Sequence, residues 1–204
     1  MRGSPSWAAL GLIVLTACAA DEGRVPSAPP SSVAIDVPVA SDLPGLPRAA
    51  LPGYVVHTST LDAAGLSADA LDPTSLEALL AGAQFEVGRE GRFTSPAKPL
   101  TTVVARVLKF GSPEGALGYL EWLRTHGRDL LGSQTQSTEP PGLPEAIAFS
   151  HDPCISCTKD TFWYFAAWTR GSYAITLRAG GPHAGLSTAA PLADELDARV
   201  RTEG

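Results

Sequence analysis

Two cysteines separated by two residues, Cys154 and Cys157, have a spacing that could support chemistry. A Cys-x-x-Cys pair carries out thiol–disulfide exchange when a helix N-terminus lowers the pKa of the attacking thiol. Together with His151 the pair also gives His-x2-Cys-x2-Cys, an incomplete zinc-ligand set for which His183 is a candidate fourth ligand. The residues after Cys157 lead into a predicted strand and not into a helix. This favours a structural disulfide, with the redox pair and the metal site as alternatives.

The remaining groups that could take part in catalysis form no recognised pattern. The sequence lacks Gly-x-Ser-x-Gly, His-Glu-x-x-His and the glycine-rich nucleotide-binding patterns. No motif links its histidines, which are His57, His126, His151 and His183. We therefore predict no catalytic residue, no metal and no cofactor. A hydrolase site assembled from residues far apart in the sequence stays open as an alternative.

An apolar run from Trp7 to Ala17 follows Arg2 and ends at Cys18. It is shorter than the roughly 20 residues that a membrane-spanning helix needs. The segment Leu15-Thr16-Ala17-Cys18 resembles the lipobox of exported bacterial lipoproteins. The resemblance implies a signal peptide at residues 1–17 and lipidation of Cys18 by fatty acid such as palmitate. Ordinary secretory cleavage is the alternative, because small residues surround the site.

This resemblance also sets the expected compartment. The protein is predicted to be extracytoplasmic and lipid-anchored to the cell membrane, or to the outer membrane of a two-membrane cell envelope. Thiols outside the cytoplasm tend to oxidise, which again favours a disulfide between Cys154 and Cys157.

Residues 18–52 are predicted to be a tether between the lipid and a single domain at residues 53–204. Prolines stiffen a chain toward extended polyproline II and block regular structure. The tether holds Pro26, Pro29, Pro30, Pro38, Pro44, Pro47 and Pro52. The alternation of apolar residues from Val33 to Val39 is typical of a strand, which Pro38 would restrict to a sheet edge.

The formal net charge of the chain is −6. An acidic surface repels phosphate backbones, so the composition excludes nucleic acid as a partner. The predicted partners are the membrane, through the lipid anchor, and an unknown envelope protein or apolar small molecule.

The remaining patterns predict an α+β domain, a mainly antiparallel sheet with helices packed on its faces. Strands are predicted at 54–58, 101–110, 146–149, 161–169 and 173–178, with a hairpin over 85–94 that turns at Glu90-Gly91. Helices are predicted from Pro73 to Gly82, from Pro113 to Gly127, and over 191–200 with Pro191 in the first turn. Residues 132–144 are predicted to be a loop.

The strand at 161–169 is apolar on both faces, which is typical of a strand inside a sheet that is covered on both sides. Its aromatic residues Trp163, Tyr164 and Trp168 are candidates for the wall of a ligand pocket, since such side chains combine flat apolar surfaces with polar tips. The alternative is that they only form the core.

Two stretches resemble patterns in uncharacterised exported lipoproteins of high-GC bacteria. They are Val103 to Ala116, a strand that runs into a helix, and Arg170-Gly171-Ser172-Tyr173-Ala174-Ile175-Thr176-Leu177. Such proteins share their element order with extracellular sensor domains of receptor-type Ser/Thr kinases and with PsbP-like sandwiches, and the resemblance covers residues 50–202. It implies a membrane-anchored, non-enzymatic envelope lipoprotein that binds a protein partner or an apolar ligand. A thiol-redox or metal-handling lipoprotein using Cys154 and Cys157, and an envelope hydrolase, are the alternatives.

Overall fold

The structure of the chain is a computed structural model that describes residues 43–203, except for 69, 71, 132–134 and 152–161. The predicted signal peptide, Cys18 and the predicted strand from Val33 to Val39 lie outside the described residues, and so do Cys154 and Cys157. None of the described helices is long and apolar enough to cross a membrane.

Strands and helices alternate irregularly along the described chain. The elements are β1 (Val55–Leu61), α1 (Ala63–Ser67), α2 (Pro73–Gly82), β2 (Phe85–Thr94), β3 (Thr102–Phe110), α3 (Pro113–Leu131), β4 (Thr135–Ser137), β5 (Ile147–His151), β6 (Trp163–Arg170), β7 (Tyr173–Gly180) and α4 (Leu186–Glu203). The described strands form one sheet in the order β1-β2-β3-β7-β6-β5-β4, and neighbouring strands are antiparallel. The predicted α+β class is confirmed.

Helices cover the sheet on both faces. On one face, α4 packs against alternate residues of β3, β6 and β7, including Val103, Tyr164 and Leu177. On the other face, α3 packs with α2 against Leu108, Phe165 and their neighbours. Residues 163–168 of β6 are all buried. The prediction that this strand lies inside a sheet covered on both sides is therefore confirmed.

Two helix starts follow from local sequence as predicted. The side chain of Asp72 accepts a hydrogen bond of 3.0 Å from the Ser75 amide, and Pro73 occupies the first turn of α2. Ser112 likewise accepts one of 3.2 Å from the Gly115 amide at the start of α3. These side chains satisfy amides that have no partner inside the helix.

The prediction of a hairpin that turns at Glu90-Gly91 is wrong. Residues 85–94 form the single strand β2, in which Glu90 pairs with Arg106 of β3 and Gly91 with Ala105. A glycine after a polar residue signals a turn only when nothing distant holds the segment extended. Here β1 and β3 hydrogen-bond to the two edges of β2, and the Glu90 carboxylate pairs with two arginines.

Three boundaries also differ from the predictions. Helix α3 continues through Gly127 to Leu131, because the lack of a side chain at Gly127 allows close contact with Phe149. Part of the predicted loop 132–144 forms β4, which pairs with β5. Helix α4 begins at Leu186, so Pro191 lies inside the helix and not in its first turn.

The chain contacts the sheet before the predicted domain start. Leu43, Leu46 and Leu51 are buried, and Arg89 of β2 donates a hydrogen bond of 2.7 Å to the Leu43 carbonyl oxygen. Part of the predicted tether therefore packs against the sheet. The boundary at residues 52–53 itself stays a prediction.

Candidate functional site

A groove with a volume of about 580 Å³ lies on the sheet face that α3 covers only in part. Leu131, the last residue of α3, borders it. Five strands contribute to its floor and walls, and the loop residues beside them complete it. The main lining residues are Arg92, Thr102, Val104, Arg106, His151, Phe162, Trp163, Phe165, Thr176, Arg178 and Gly180.

The register of the sheet places these side chains in rows. Val104 lies opposite Arg92 on one side and Arg178 on the other. In the adjoining row Arg106 lies between Glu90 and Thr176. Residues directly opposite in antiparallel strands have Cβ atoms about 5 Å apart on the same face. Three guanidinium groups from neighbouring strands therefore share one side of the sheet.

A buried carboxylate holds two of the three arginines. Arg106 Nε donates to Glu90 Oε2 at 2.7 Å, and Arg92 donates to Glu90 Oε1 at 3.2 Å through Nη2 and at 3.3 Å through Nε. The Glu90 side chain is 9% exposed. Burial by itself raises the pKa of Glu90, but the guanidinium groups of Arg106 and Arg92 outweigh it, and the pKa is lowered. Glu90 is thus an anion that fixes the geometry of the arginines.

The other end of the groove is aromatic. The imidazole of His151 stacks on the indole of Trp163, with ring centroids 5.5 Å apart and planes 6° apart. The guanidinium carbon of Arg178 lies 5.0 Å from the centroid of the same indole, a distance typical of a cation–π contact. Trp163 therefore joins the cationic part of the groove to its apolar part.

Two polar atoms beside this end lack a hydrogen-bond partner among the described residues, Nδ1 of His151 and Oγ1 of Thr135. Both atoms are buried, and the two residues lie opposite each other in the β4–β5 pair. Unsatisfied buried polar atoms are uncommon in proteins and often mark positions where a ligand or water binds. His151 itself lines the groove.

The aromatic residues that the sequence singled out divide between the two faces of the sheet. Trp163 lines the groove, whereas Tyr164 and Trp168 pack in the core beneath α4. The Tyr164 hydroxyl donates to the Glu139 carbonyl oxygen at 2.7 Å, and burial followed by the Glu139 charge raises its pKa to about 12. The Trp168 indole donates to Asp197. The groove thus contains one of the three candidates.

The two histidines that were candidate metal ligands together with Cys154 and Cys157 lie in different surroundings. His151 stacks on Trp163 in the groove wall, whereas His183 is exposed in the turn after β7. Within the described part of the chain, no group of three or more His, Cys, Asp or Glu side chains is placed to hold a metal ion. Because both cysteines fall in the undescribed segment 152–161, the disulfide, redox and metal alternatives stay predictions.

The arginines of the groove are not among the site residues predicted from the sequence. A signal was present, since Arg106 and Arg178 interrupt strands whose other residues on the same face are mostly apolar or small. A charged residue at such a position indicates either a buried ion pair or a site open to solvent. The sequence could not show that three such positions lie side by side, because strand order determines that.

Comparison with known proteins gives little further information. No protein-family model matches the sequence, and no curated protein is significantly similar to it. Among solved structures, the fold is similar to the extracellular domain of PknH from Mycobacterium tuberculosis, with 12% sequence identity and a TM-score of 0.45 over 73% of this chain and 82% of that one. At this identity and TM-score the similarity identifies neither a family nor a ligand for the chain.

Proposed function

We propose that the protein is a non-enzymatic binding module, anchored outside the cytoplasm by lipid on Cys18, and that the groove beside α3 holds a small ligand with a large apolar part. The observation that carries the proposal is the groove itself. Its volume of about 580 Å³ falls within the range of roughly 300–1,000 Å³ that is typical of small-molecule sites.

The walls of the groove support an apolar ligand. Val104, Phe165 and Leu131 supply aliphatic and aromatic surface, and Trp163 adds a flat indole. Phe162, at the rim, is 40% exposed. Transfer of a large apolar side chain out of water is favourable. A ligand that covers Phe162 and the floor of the groove would remove this surface from solvent.

The position of the groove on a sheet also favours binding. Val104, Phe165 and Arg178 lie on β3, β6 and β7, which are hydrogen-bonded on both edges. Side chains on such strands keep their relative positions, so the free-energy cost of ordering the site when a ligand binds is smaller. This arrangement favours a preformed binding site.

Gly180 offers a direct test of the groove. It lines the groove, and a Cβ built there lies 3.8 Å from its nearest neighbour, so a larger side chain fits without backbone strain and extends into the cavity. With N-phenyl-1-naphthylamine as a neutral apolar probe, we expect Gly180→Leu to weaken binding by about tenfold or more. Gly118→Leu is the matched control, because a Cβ at Gly118 of α3 meets nothing within 4 Å.

The test has two outcomes that would overturn the proposal. One is that the folded wild-type protein does not bind the probe. The other is that Gly180→Leu, shown to be folded by circular dichroism, binds as tightly as Gly118→Leu. Either result would contradict the proposal that the groove binds an apolar small molecule.

The anchor requires a separate experiment. Mass spectrometry of the protein from its native membrane is expected to find acyl chains on the peptide that begins at Cys18. Cys18→Ser should release the protein from the membrane fraction. An unacylated wild-type protein in the soluble fraction would contradict the anchored location.

A further inference from the structure

The charged side chains among the described residues that line the groove are opposite in sign to the net charge of the chain. The groove contains Arg92, Arg106 and Arg178, and none of the described residues that line it is Asp or Glu. The whole chain, by contrast, has a formal net charge of −6. Guanidinium groups on neighbouring strands repel each other, which costs stability unless an anion lies among them.

Glu90 supplies one anion beside the arginines of the groove. Its single carboxylate is shared between Arg106, at 2.7 Å, and Arg92, at 3.2 Å. Arg178 comes from β7, on the far side of Val104 from Arg92, and contacts the Trp163 ring. Arg178 thus places a guanidinium group next to the aromatic wall of the groove.

The cationic and apolar parts of the groove meet at Trp163. The indole borders Arg178 at 5.0 Å, and Phe165, the residue opposite Arg178, continues the apolar wall. Arginine is well suited to bind carboxylate, phosphate or sulfonate because its planar fork donates two parallel hydrogen bonds. Nδ1 of His151, which has no partner among the described residues, is an additional polar contact at the same end.

We infer that the ligand of this groove is an anionic amphiphile, whose acid group contacts Arg178 and Arg106 and whose apolar body lies along Trp163 and Phe165. The inference rests on the proposed function and specifies the ligand class. An acid on an alkyl or aromatic body, such as a fatty acid or the headgroup end of an anionic lipid, has the required chemistry.

Two dyes with the same ring system test separately whether the groove binds an apolar ligand and whether it prefers an anionic one. 8-Anilinonaphthalene-1-sulfonate carries a sulfonate, and N-phenyl-1-naphthylamine lacks it. We expect Arg178→Gln to weaken binding of the sulfonate dye by about tenfold, as for loss of a charge-assisted hydrogen bond, and to change binding of the neutral dye by less than about twofold. Arg124→Gln is the control, because Arg124 pairs with Glu121 on α3 and does not line the groove.

A second variant predicts a gain in affinity, measured on protein whose near-ultraviolet circular dichroism matches that of the wild type, because loss of tertiary packing also increases binding of this dye. Glu90→Gln removes the internal carboxylate that pairs with Arg106 and Arg92, so both arginines become available to the sulfonate. We expect the affinity for 8-anilinonaphthalene-1-sulfonate to rise severalfold. The gain should diminish as the salt concentration increases, because salt screens partly exposed charges.

The outcomes distinguish this inference from the proposed function. If Gly180→Leu blocks both dyes but Arg178→Gln weakens neither, the groove is a binding site and the anionic class is wrong. Unchanged or weaker binding of the sulfonate dye by folded Glu90→Gln would also overturn the anionic class. If the wild-type protein binds neither dye, the proposed function fails as well.

Competition then identifies the source of the acid. Decanoate and short-chain phosphatidylglycerol are added to the bound sulfonate dye, with decanol as the uncharged control. Displacement by decanoate alone indicates a free fatty acid, and displacement by phosphatidylglycerol alone indicates a lipid headgroup. Displacement by decanol equal to that by both acids would contradict the inference.

Discussion

The indole Nε1 of Trp168 donates a hydrogen bond of 3.0 Å to Oδ1 of Asp197, which joins β6 in the sheet to α4. Asp197 is 1% exposed. Its carboxylate also accepts hydrogen bonds from Arg170, at 2.6 Å from Nε and 3.0 Å from Nη2, and lies 3.2 Å from Nε of Arg201. A hydrogen bond to Asp197 raises the pKa of Arg170. This carboxylate therefore fixes the position of α4 on the sheet.

Asp197→Ala is expected to lower the free energy of unfolding by about 3–5 kcal/mol, because it leaves Arg170 and the Trp168 indole without their partner. Asp197→Asn keeps one acceptor for the indole and should cost less. Asp194→Ala, at an exposed position of the same helix, is the control. Urea denaturation measures all three. A loss in Asp197→Ala no larger than that in Asp194→Ala would show that the carboxylate does not fix α4.

Two glycines of α3 are expected to respond to alanine in opposite directions. A Cβ at Gly118 meets nothing within 4 Å, so Gly118→Ala should stabilise the protein by about 1 kcal/mol through higher helix propensity. A Cβ at Gly127 would lie 2.6 Å from Cζ of Phe149, which is 4% exposed and cannot move freely. Overpacking costs about 1–3 kcal/mol, so we expect Gly127→Ala to be destabilising.

Thermal or urea unfolding of the two glycine variants gives the comparison directly, with the wild type as reference. Equal stabilisation by both substitutions would mean that α3 does not approach β5 as closely as Gly127 and Phe149 indicate.

Local signals predicted much of the fold. The long strand at 101–110 and the turn between β6 and β7 follow from β-forming residues and from Gly171, whose φ of 52° requires a residue that tolerates the left-handed region. The errors came from distant contacts. Glu90-Gly91 has the local sequence of a turn, but the contact with Arg106 of β3 holds it in a strand. Gly127 has the local signal of a helix end, but its close packing against Phe149 lies within the helix.

The candidate site was less predictable for the same physical reason. Alternation along β6 already assigns Trp163 to one face and Tyr164 and Trp168 to the other, so the sequence contained the division of these residues. It did not indicate which face stays open. That depends on where α3 ends relative to β7, and on the strand order that brings Arg92 and Arg178 to the two sides of Val104.

The pair Cys154 and Cys157 is predicted to form a disulfide in the exported protein. Under non-reducing conditions, the intact mass should be lower by two hydrogens than after reduction. Because the bond closes a short loop, it constrains the unfolded chain less than a long-range disulfide would, and reduction should change the unfolding midpoint only slightly. The Cys154→Ser/Cys157→Ser double variant is the control. Two free thiols in freshly exported protein would contradict the prediction.

The ion pairs of Glu90 should make part of the stability depend on pH. Because Arg106 and Arg92 lower the pKa of Glu90 below its ordinary value of 4.5 despite burial, the folded state favours the charged carboxylate. The resulting stabilisation is present above that ordinary value and is lost as the pH falls through the lowered pKa of the folded state. Wild-type protein should therefore lose more free energy of unfolding between pH 7 and pH 3 than Glu90→Gln does.

Urea denaturation at both pH values measures this difference. Glu121→Gln provides the comparison, because the Glu121 side chain is 59% exposed and exposed ion pairs contribute only about 0–1 kcal/mol. It should lose about as much stability at low pH as the wild type. If Glu90→Gln shows the same acid sensitivity as the wild type, the carboxylate does not hold the arginines in the folded protein.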